Sequence, residues 1–224
     1  MRFRGSRHAE GATGGFFNTF ILLSNPQTTP ANVELRFLLD TKEVITRNKT
    51  VGAKERLTVN PAAEGIAQLD NAALSTVVQS DVPIVSERSM YWPGDASPFG
   101  EGHNSAGIVD TALTWGLAEG RVGGPQDFLT YILLANPQST AAEVRITYLR
   151  EGFGPVVKTY TVPATSRFNV DVRSVVPEIV NGQSFGAKIE VTNGVPIAVE
   201  RSLYWNANGV FWAGGTNALA TVIP

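Results

Sequence analysis

Pro83-Ile-Val-Ser-Glu-Arg-Ser-Met-Tyr-Trp92 returns further along the chain as Pro196-Ile-Ala-Val-Glu-Arg-Ser-Leu-Tyr-Trp205. Ala9-Glu10-Gly11 likewise returns as Ala118-Glu119-Gly120, and Phe20-Ile-Leu-Leu-Ser-Asn-Pro-Gln27 as Tyr131-Ile-Leu-Leu-Ala-Asn-Pro-Gln138. The offsets, 118 − 9 = 109, 136 − 25 = 111 and 196 − 83 = 113, drift slowly, so the copies are colinear and differ by small loop insertions. A period this long is a whole domain and exceeds the roughly 20 to 50 residues of solenoid and propeller units. The 224 residues therefore divide into two β-repeats, 1–112 and 113–224, each large enough to bury its own core. An enzyme site seldom needs two near-identical copies in line, whereas binding and structural modules are often built that way.

Within each copy the apolar pattern has the period of a strand. Val33, Leu35, Phe37 and Leu39 share one face while Glu34 and Arg36 take the other, and Val144, Ile146 and Tyr148 oppose Arg145 and Thr147 in the same way. Turn clusters such as 25–30, 136–140, 193–194 and 206–209, rich in Asn, Gly and Pro, separate these runs. About seven short strands per copy, and no convincing long helix, predict an all-β protein of two tandem immunoglobulin-like antiparallel β-sandwiches. The linker 108–115 carries apolar residues and no Ser/Gly tract, which predicts stacked domains with little freedom between them.

Composition narrows the function classes. The formal charge of −2 offers no broad basic field for a phosphate backbone, so nucleic acid is not an expected partner. The chain has no cysteine, which removes disulfides, thiolate metal sites and thiol catalysis together. No apolar run reaches the ~20 residues of a membrane helix, so membrane insertion is not expected. Residues 1–7 lack the apolar centre of a signal peptide, which fits either a cytoplasmic chain or a mature or truncated piece of an exported one.

Four groups of residues could carry chemistry or contact. In an extended strand Arg88 and Glu87 point to opposite faces and cannot pair with each other. Because the pair recurs as Glu200 and Arg201, and Glu10 recurs as Glu119, the arginines are expected to pair with a glutamate from the start of a repeat, as structural ion pairs. Asp95, Glu101 and His103 could offer ligands to a divalent ion, but the matching stretch 206–216 has neither acid nor histidine, so a solvated loop is the expectation and no metal or other cofactor is assigned. Of the two histidines, His8 and His103, neither sits in a Ser/His/Asp arrangement, and the glycines of 11–15 precede a strand rather than a phosphate-binding helix. Tyr91, Trp92, Phe99, Tyr204, Trp205, Phe211 and Trp212 fall near strand ends; core and interface use is the first expectation, with Trp92, Trp205 and Trp212 as the candidates for a polysaccharide platform. Arg2, Arg4 and Arg7 at one end, and Val222 and Ile223 at the other, read as ends able to add to a neighbour's sheet.

With its Ala-Glu-Gly, Leu-Leu-x-Asn-Pro and Pro-Ile-Val-x-Glu-Arg-x-Met-Tyr-Trp segments, and Gly102-His103-Asn104-Ser105, the chain resembles a family of tandem β-sandwich repeats in bacterial exported and cell-surface proteins. The resemblance implies spacer or adhesive segments, mostly without assigned activity. The second copy departs from it with Gly215-Thr216-Asn217 in place of Gly-His, and the first with Arg7-His8 in place of an aromatic pair. The expectation is therefore a non-enzymatic extracellular or cell-surface structural or adhesive module that self-associates into a filament, lattice or stalk. A glycan-binding module is the alternative.

Overall fold

The structure, a computed structural model, describes residues 3–94 and 99–224. The first repeat contains β1 (Phe3–His8), β2 (Asn18–Ser24), β3 (Ala31–Leu39), β4 (Val44–Val51), β5 (Arg56–Val59), β6 (Leu74–Ser80), β7 (Val85–Trp92) and β8 (Glu101–Ala106). The second contains β9 (Thr114–Val122), β10 (Leu129–Asn136), β11 (Ala142–Arg150), β12 (Val156–Val162), β13 (Ser166–Asp171), β14 (Gln183–Val191), β15 (Ala198–Ala207), β16 (Val210–Leu219) and β17 (Thr221–Val222), with one helical turn, α1 (Val172–Val175).

These strands form four small antiparallel sheets, ordered β1-β6-β3-β4, β5-β2-β7-β8, β12-β11-β14-β9-β17 and β13-β10-β15-β16. The sheets stand in a four-blade, propeller-like ring, and the two immunoglobulin-like sandwiches expected from the sequence are not the fold. An immunoglobulin domain pairs its strands as A-B-E-D and C-F-G; here the third and fourth strands stay together as a hairpin in one sheet, and the second pairs with the fifth and seventh. The sequence conceals the blades because the two sheets of each repeat are interleaved along the chain. No blade-length period exists to be read.

The alternation identified above does decide which side chains go inside. Leu35, Phe37, Ile146 and Tyr148 are wholly buried, and Val33, Leu39 and Val144 nearly so. In the first repeat this core gathers Ile21, Leu23 and Val59 from one sheet with Val33, Leu35, Phe37, Leu74 and Val78 from the other. The second core extends into the first repeat through Ala9 and Ile108.

The Asn-Pro-Gln motif proves to be a corner staple. The buried Asn25 side-chain amide donates to the carbonyls of Thr29 (2.9 Å), Val51 (3.1 Å) and Gly52 (3.0 Å), while its oxygen accepts from the Gln27 N–H (3.0 Å). Asn136 repeats the arrangement with Thr140, Val162, Pro163 and the Gln138 N–H.

The ends are strands rather than free arms. Arg7 lies in β1, which pairs with β6, and its guanidinium donates to the carbonyls of Gly5 (2.9 Å) and Val109 (2.5 Å). Val222 pairs with Trp115 in β9, and the Ile223 N–H donates to the Thr114 carbonyl. Arg4 is in β1 through its backbone; Arg2 lies outside the described residues. β1 and β17 are thus edge strands of the chain's own sheets.

Replacing Asn136 by alanine strips bonds from three inward carbonyls at once. Asn136→Ala is expected to lower the unfolding free energy by about 1–3 kcal/mol, read as a fall in the urea midpoint at unchanged slope.

Candidate functional site

The charged residues of the sequence converge where the repeats meet, on strands whose alternation aims them there. In β7 the face carrying Arg88, Met90 and Trp92 turns toward the second repeat, leaving Glu87 exposed on the other face. In β15 the opposite set, Glu200, Ser202 and Tyr204, turns toward the first repeat. The same motif therefore presents different faces to one junction.

Arg88, wholly buried, holds the centre. Its Nη2 lies 2.8 Å from the Glu10 carboxylate and 3.4 Å from that of Glu200. Glu10 is saturated, because it also accepts from the Ser202 hydroxyl, the Tyr204 hydroxyl (2.9 Å) and Asn217 Nδ2 (2.8 Å). Glu200 accepts from the Ala9 N–H (2.6 Å) and from Asn217 (3.0 Å). Arg167 of β13 crosses the same junction and donates to the carbonyls of Gly11 and Leu74. Buried charges are tolerated only when paired and hydrogen-bonded; Arg88 is paired through its Nη2, while its Nε is buried without a partner.

In the second repeat Arg201 meets Glu119 at 2.8 Å, but the Glu119 side chain is 64% exposed against 3% for Glu10. Arg201 turns its other amino group to the Thr216 hydroxyl (2.9 Å), where Arg88 meets His103 (3.3 Å). Each arginine thus reaches the glutamate that opens its own repeat. Glu87 takes no part in the cluster, whereas its sequence counterpart Glu200 is wholly buried in it, a difference that the repeat pattern conceals.

His103 belongs to this network. Its Nε2 lies 3.6 Å from Glu10 and 3.4 Å from the Tyr204 hydroxyl. Asp95 lies outside the described residues, and among those described no group of three or more His, Asp or Glu side chains is placed to hold a metal ion.

The aromatics divide. Trp92 is wholly buried and its indole N–H donates to the Trp212 carbonyl (2.7 Å), so it cannot serve as a sugar platform. Trp205 packs near Phe128 with ring centroids 5.9 Å apart. Trp212 stacks on Tyr204 (centroids 4.4 Å apart, planes 14° apart) and against Phe211. Its φ of +51° is a costly position for a bulky residue, held by the bonds its carbonyl and N–H make to Trp92 and Asn206. Beside it lies a cavity of about 210 Å³ lined by Glu10, Tyr131, Arg167, Ser202, Tyr204 and Trp212. The Trp212 indole N–H is buried there without an acceptor. This cavity could not be read from the sequence, because Arg167 and Tyr131 lie outside the repeated Glu-Arg motif and reach the junction only through their sheet.

Burial sets the protonation states. His8, sealed beside Ser86, is pushed down to about 3, first by burial and then by the Arg88 charge. Burial lowers His103 more than the Glu10 carboxylate raises it, and Arg88 adds to the lowering. Burial would raise Glu10, but Arg88, His103 and the Ser202 hydroxyl together hold it below its ordinary range. At Glu200 burial prevails over the more distant Arg88 and the carboxyl is raised. The two carboxyls of the cluster are thus shifted in opposite directions, and the shorter Arg88 contact, at Glu10, is among the causes.

No known family profile matches the chain, and no curated protein does. Among solved structures it is similar to the crystal structure of Thermotoga maritima 1070, at 16% identity over 51% of this chain and 97% of that one, with a TM-score of 0.45. It is also similar to the Anabaena sensory rhodopsin transducer, at 25% identity over 41% of this chain and 88% of that one, with a TM-score of 0.36.

Both histidines have folded pKa values below the unfolded value of about 6.5, so the unfolded chain binds their protons first. Their contribution to stability is complete above that pH and is lost on acidification, for His8 as pH falls toward 3, with Glu10 adding a loss as pH falls through the carboxylate range. Glu200 has the opposite sign and offsets part of it. Chemical denaturation at pH 7.5 and 5.5 is expected to show a fall of about 1–2 kcal/mol on acidification; a flat profile would mean that the histidines are protonated within the fold.

Proposed function

We propose that the chain is a non-enzymatic structural module, a rigid two-repeat building block whose repeats are locked together by a buried charge cluster. The observation that carries this reading is that buried Arg88 pairs with Glu10 of its own repeat and Glu200 of the other. The Glu10 carboxylate is bonded by Arg88, Ser202, Tyr204 and Asn217, and Arg88 is sealed from solvent, so these buried charges join the repeats. Removing one partner of such a cluster leaves a buried, uncompensated charge, which costs about 3–5 kcal/mol.

The test is calorimetry of the full chain. The intact protein is expected to unfold in one transition. Arg88→Met, which strands two buried carboxylates, is expected to lower stability by about 3–5 kcal/mol and to separate the melting of the two repeats; Glu119→Ala, at the exposed pair, should cost about 1 kcal/mol or less. Two transitions in the unsubstituted protein would sink the rigid-module reading.

The junction cavity favours a second reading, a small-ligand or glycan-binding module. Tyr131, Tyr204 and Trp212 line it together with the polar Glu10, Arg167 and Ser202, and the buried Trp212 indole N–H has no partner of its own. A screen of mono- and oligosaccharides by tryptophan fluorescence decides it: binding that is abolished in Trp212→Phe with the melting temperature kept supports this reading, and a silent screen counts against it.

A further inference from the structure

The contact between the repeats joins two different surfaces, and each repeat possesses both. The first repeat offers Ala9, Glu10, Gly11, Phe17, Leu74 and Met90; the second covers them with Glu200, Ser202, Tyr204, Trp212, Asn217 and Arg167. By the repeat offsets, the counterparts of the first set are Ala118, Glu119, Gly120, Phe128, Phe185 and Leu203. All six line one open groove of about 680 Å³ on the second repeat. The counterparts of the covering set are Glu87, Ser89, Tyr91, Phe99, Asn104 and Arg56 on the first repeat. Of these, Glu87, Phe99, Asn104 and Arg56 are exposed, Tyr91 is half-buried and Ser89 is buried at 8% exposure.

We propose that a second copy of this chain docks its first repeat onto the open groove of the second repeat, head to tail, reproducing between chains the contact already made within one. This rests on the reading of the chain as a structural building block and names its partner.

The chemistry of the two free surfaces matches point by point. Glu119, bonded to Arg201, stands where Glu10 stands beside Arg88, and the Ser89 and Tyr91 hydroxyls and the Asn104 amide of a neighbour correspond to the three donors that saturate Glu10. Glu87 corresponds to Glu200 and would meet Arg201 and the Ala118 N–H. Arg56 corresponds to Arg167, which in the internal contact donates to Gly11 and Leu74; its targets are the carbonyls of Gly120 and Phe185. The aromatic part is also duplicated. Phe20, Tyr91 and Phe99 cluster with centroids 5.4–6.2 Å apart, where Tyr131, Tyr204 and Trp212 cluster at 4.4–6.4 Å, and would cover Phe128 as Tyr204 and Trp212 cover Phe17.

A heterologous contact of this kind closes into a ring when its rotation permits and otherwise grows as a filament. Unlike the internal contact, it pays the translational and rotational freedom of a second chain, so assembly depends on concentration.

The test is sedimentation velocity and light scattering of the full chain over a concentration series, with two variants at exposed positions. Glu87→Arg sets a positive charge against Arg201 of the neighbour and blocks one surface. Ala118→Arg places bulk where Ala9 is wholly buried and blocks the other. The unsubstituted chain is expected to gain mass with concentration, ending at a discrete two-chain ring or a growing filament. Each variant alone should stay monomeric with its melting temperature kept. An equimolar mixture of the two should form a complex of two chains and stop, because each retains the surface the other has lost. A monomer at hundreds of micromolar, growth that survives both substitutions, or a mixture that remains monomeric would overturn the inference. A chain that is monomeric yet unfolds in one transition would do so while leaving the structural-module reading intact.

Discussion

Arg88 is the residue on which the arrangement of the two repeats depends. A guanidinium with no exposure to solvent must be met by opposite charge, and it is met by one carboxylate from its own repeat and one from the other. Such a cluster contributes less to net stability than an apolar core of the same volume, since desolvating the ions offsets most of their attraction. Its effect is on specificity. Any sliding or rotation of one repeat against the other would strand two carboxylates and an arginine in a site closed to water. The apolar part of the contact, Met90 and Trp92 against Tyr204, tolerates small displacements that the charges do not.

The environment of one motif differs between its two copies because docking uses opposite faces of equivalent strands. In β7 the arginine face is inside the junction and the glutamate face is in solvent, while in β15 the glutamate face is inside and Arg201 pairs with a half-solvated partner. Asymmetry of this kind follows from a head-to-tail contact between similar units, since a two-fold contact would bury the same face twice. His103 has a polar partner across the junction in Tyr204, and the equivalent position in the second repeat, facing the open side, is Thr216.

Much of the strand pattern was legible because burial on one side of a sheet imposes a period of two. The residues assigned to the inner faces of β3 and β11 are the buried ones. β1 and β9 were hidden for an identifiable reason: one is rich in arginine and reads as an arm, and the other is interrupted by Gly116 and Gly120 and overlaps the linker reading 108–115 only at its first two residues, yet both are sheet strands held by backbone bonds to β6 and β14. The Asn-Pro-Gln corners were visible as turns, though not as side-chain staples reaching carbonyls more than twenty residues away.

By itself the sequence determined that the chain is a duplication, that it is made of short strands, which residues of each strand are apolar, and that each repeated arginine has a glutamate available at the start of its repeat. These are local or pairwise matters, settled by period, by turn chemistry and by the need of a charge for a partner. The tertiary structure alone decided which strands share a sheet, which face of each Glu-Arg strand is enclosed, and that Glu200 and Arg167 belong to the junction while Glu87 and Arg56 do not. Two copies of the same local sequence cannot differ in their intrinsic preferences. They come to differ only when one surface is covered, and covering is a property of the assembled molecule.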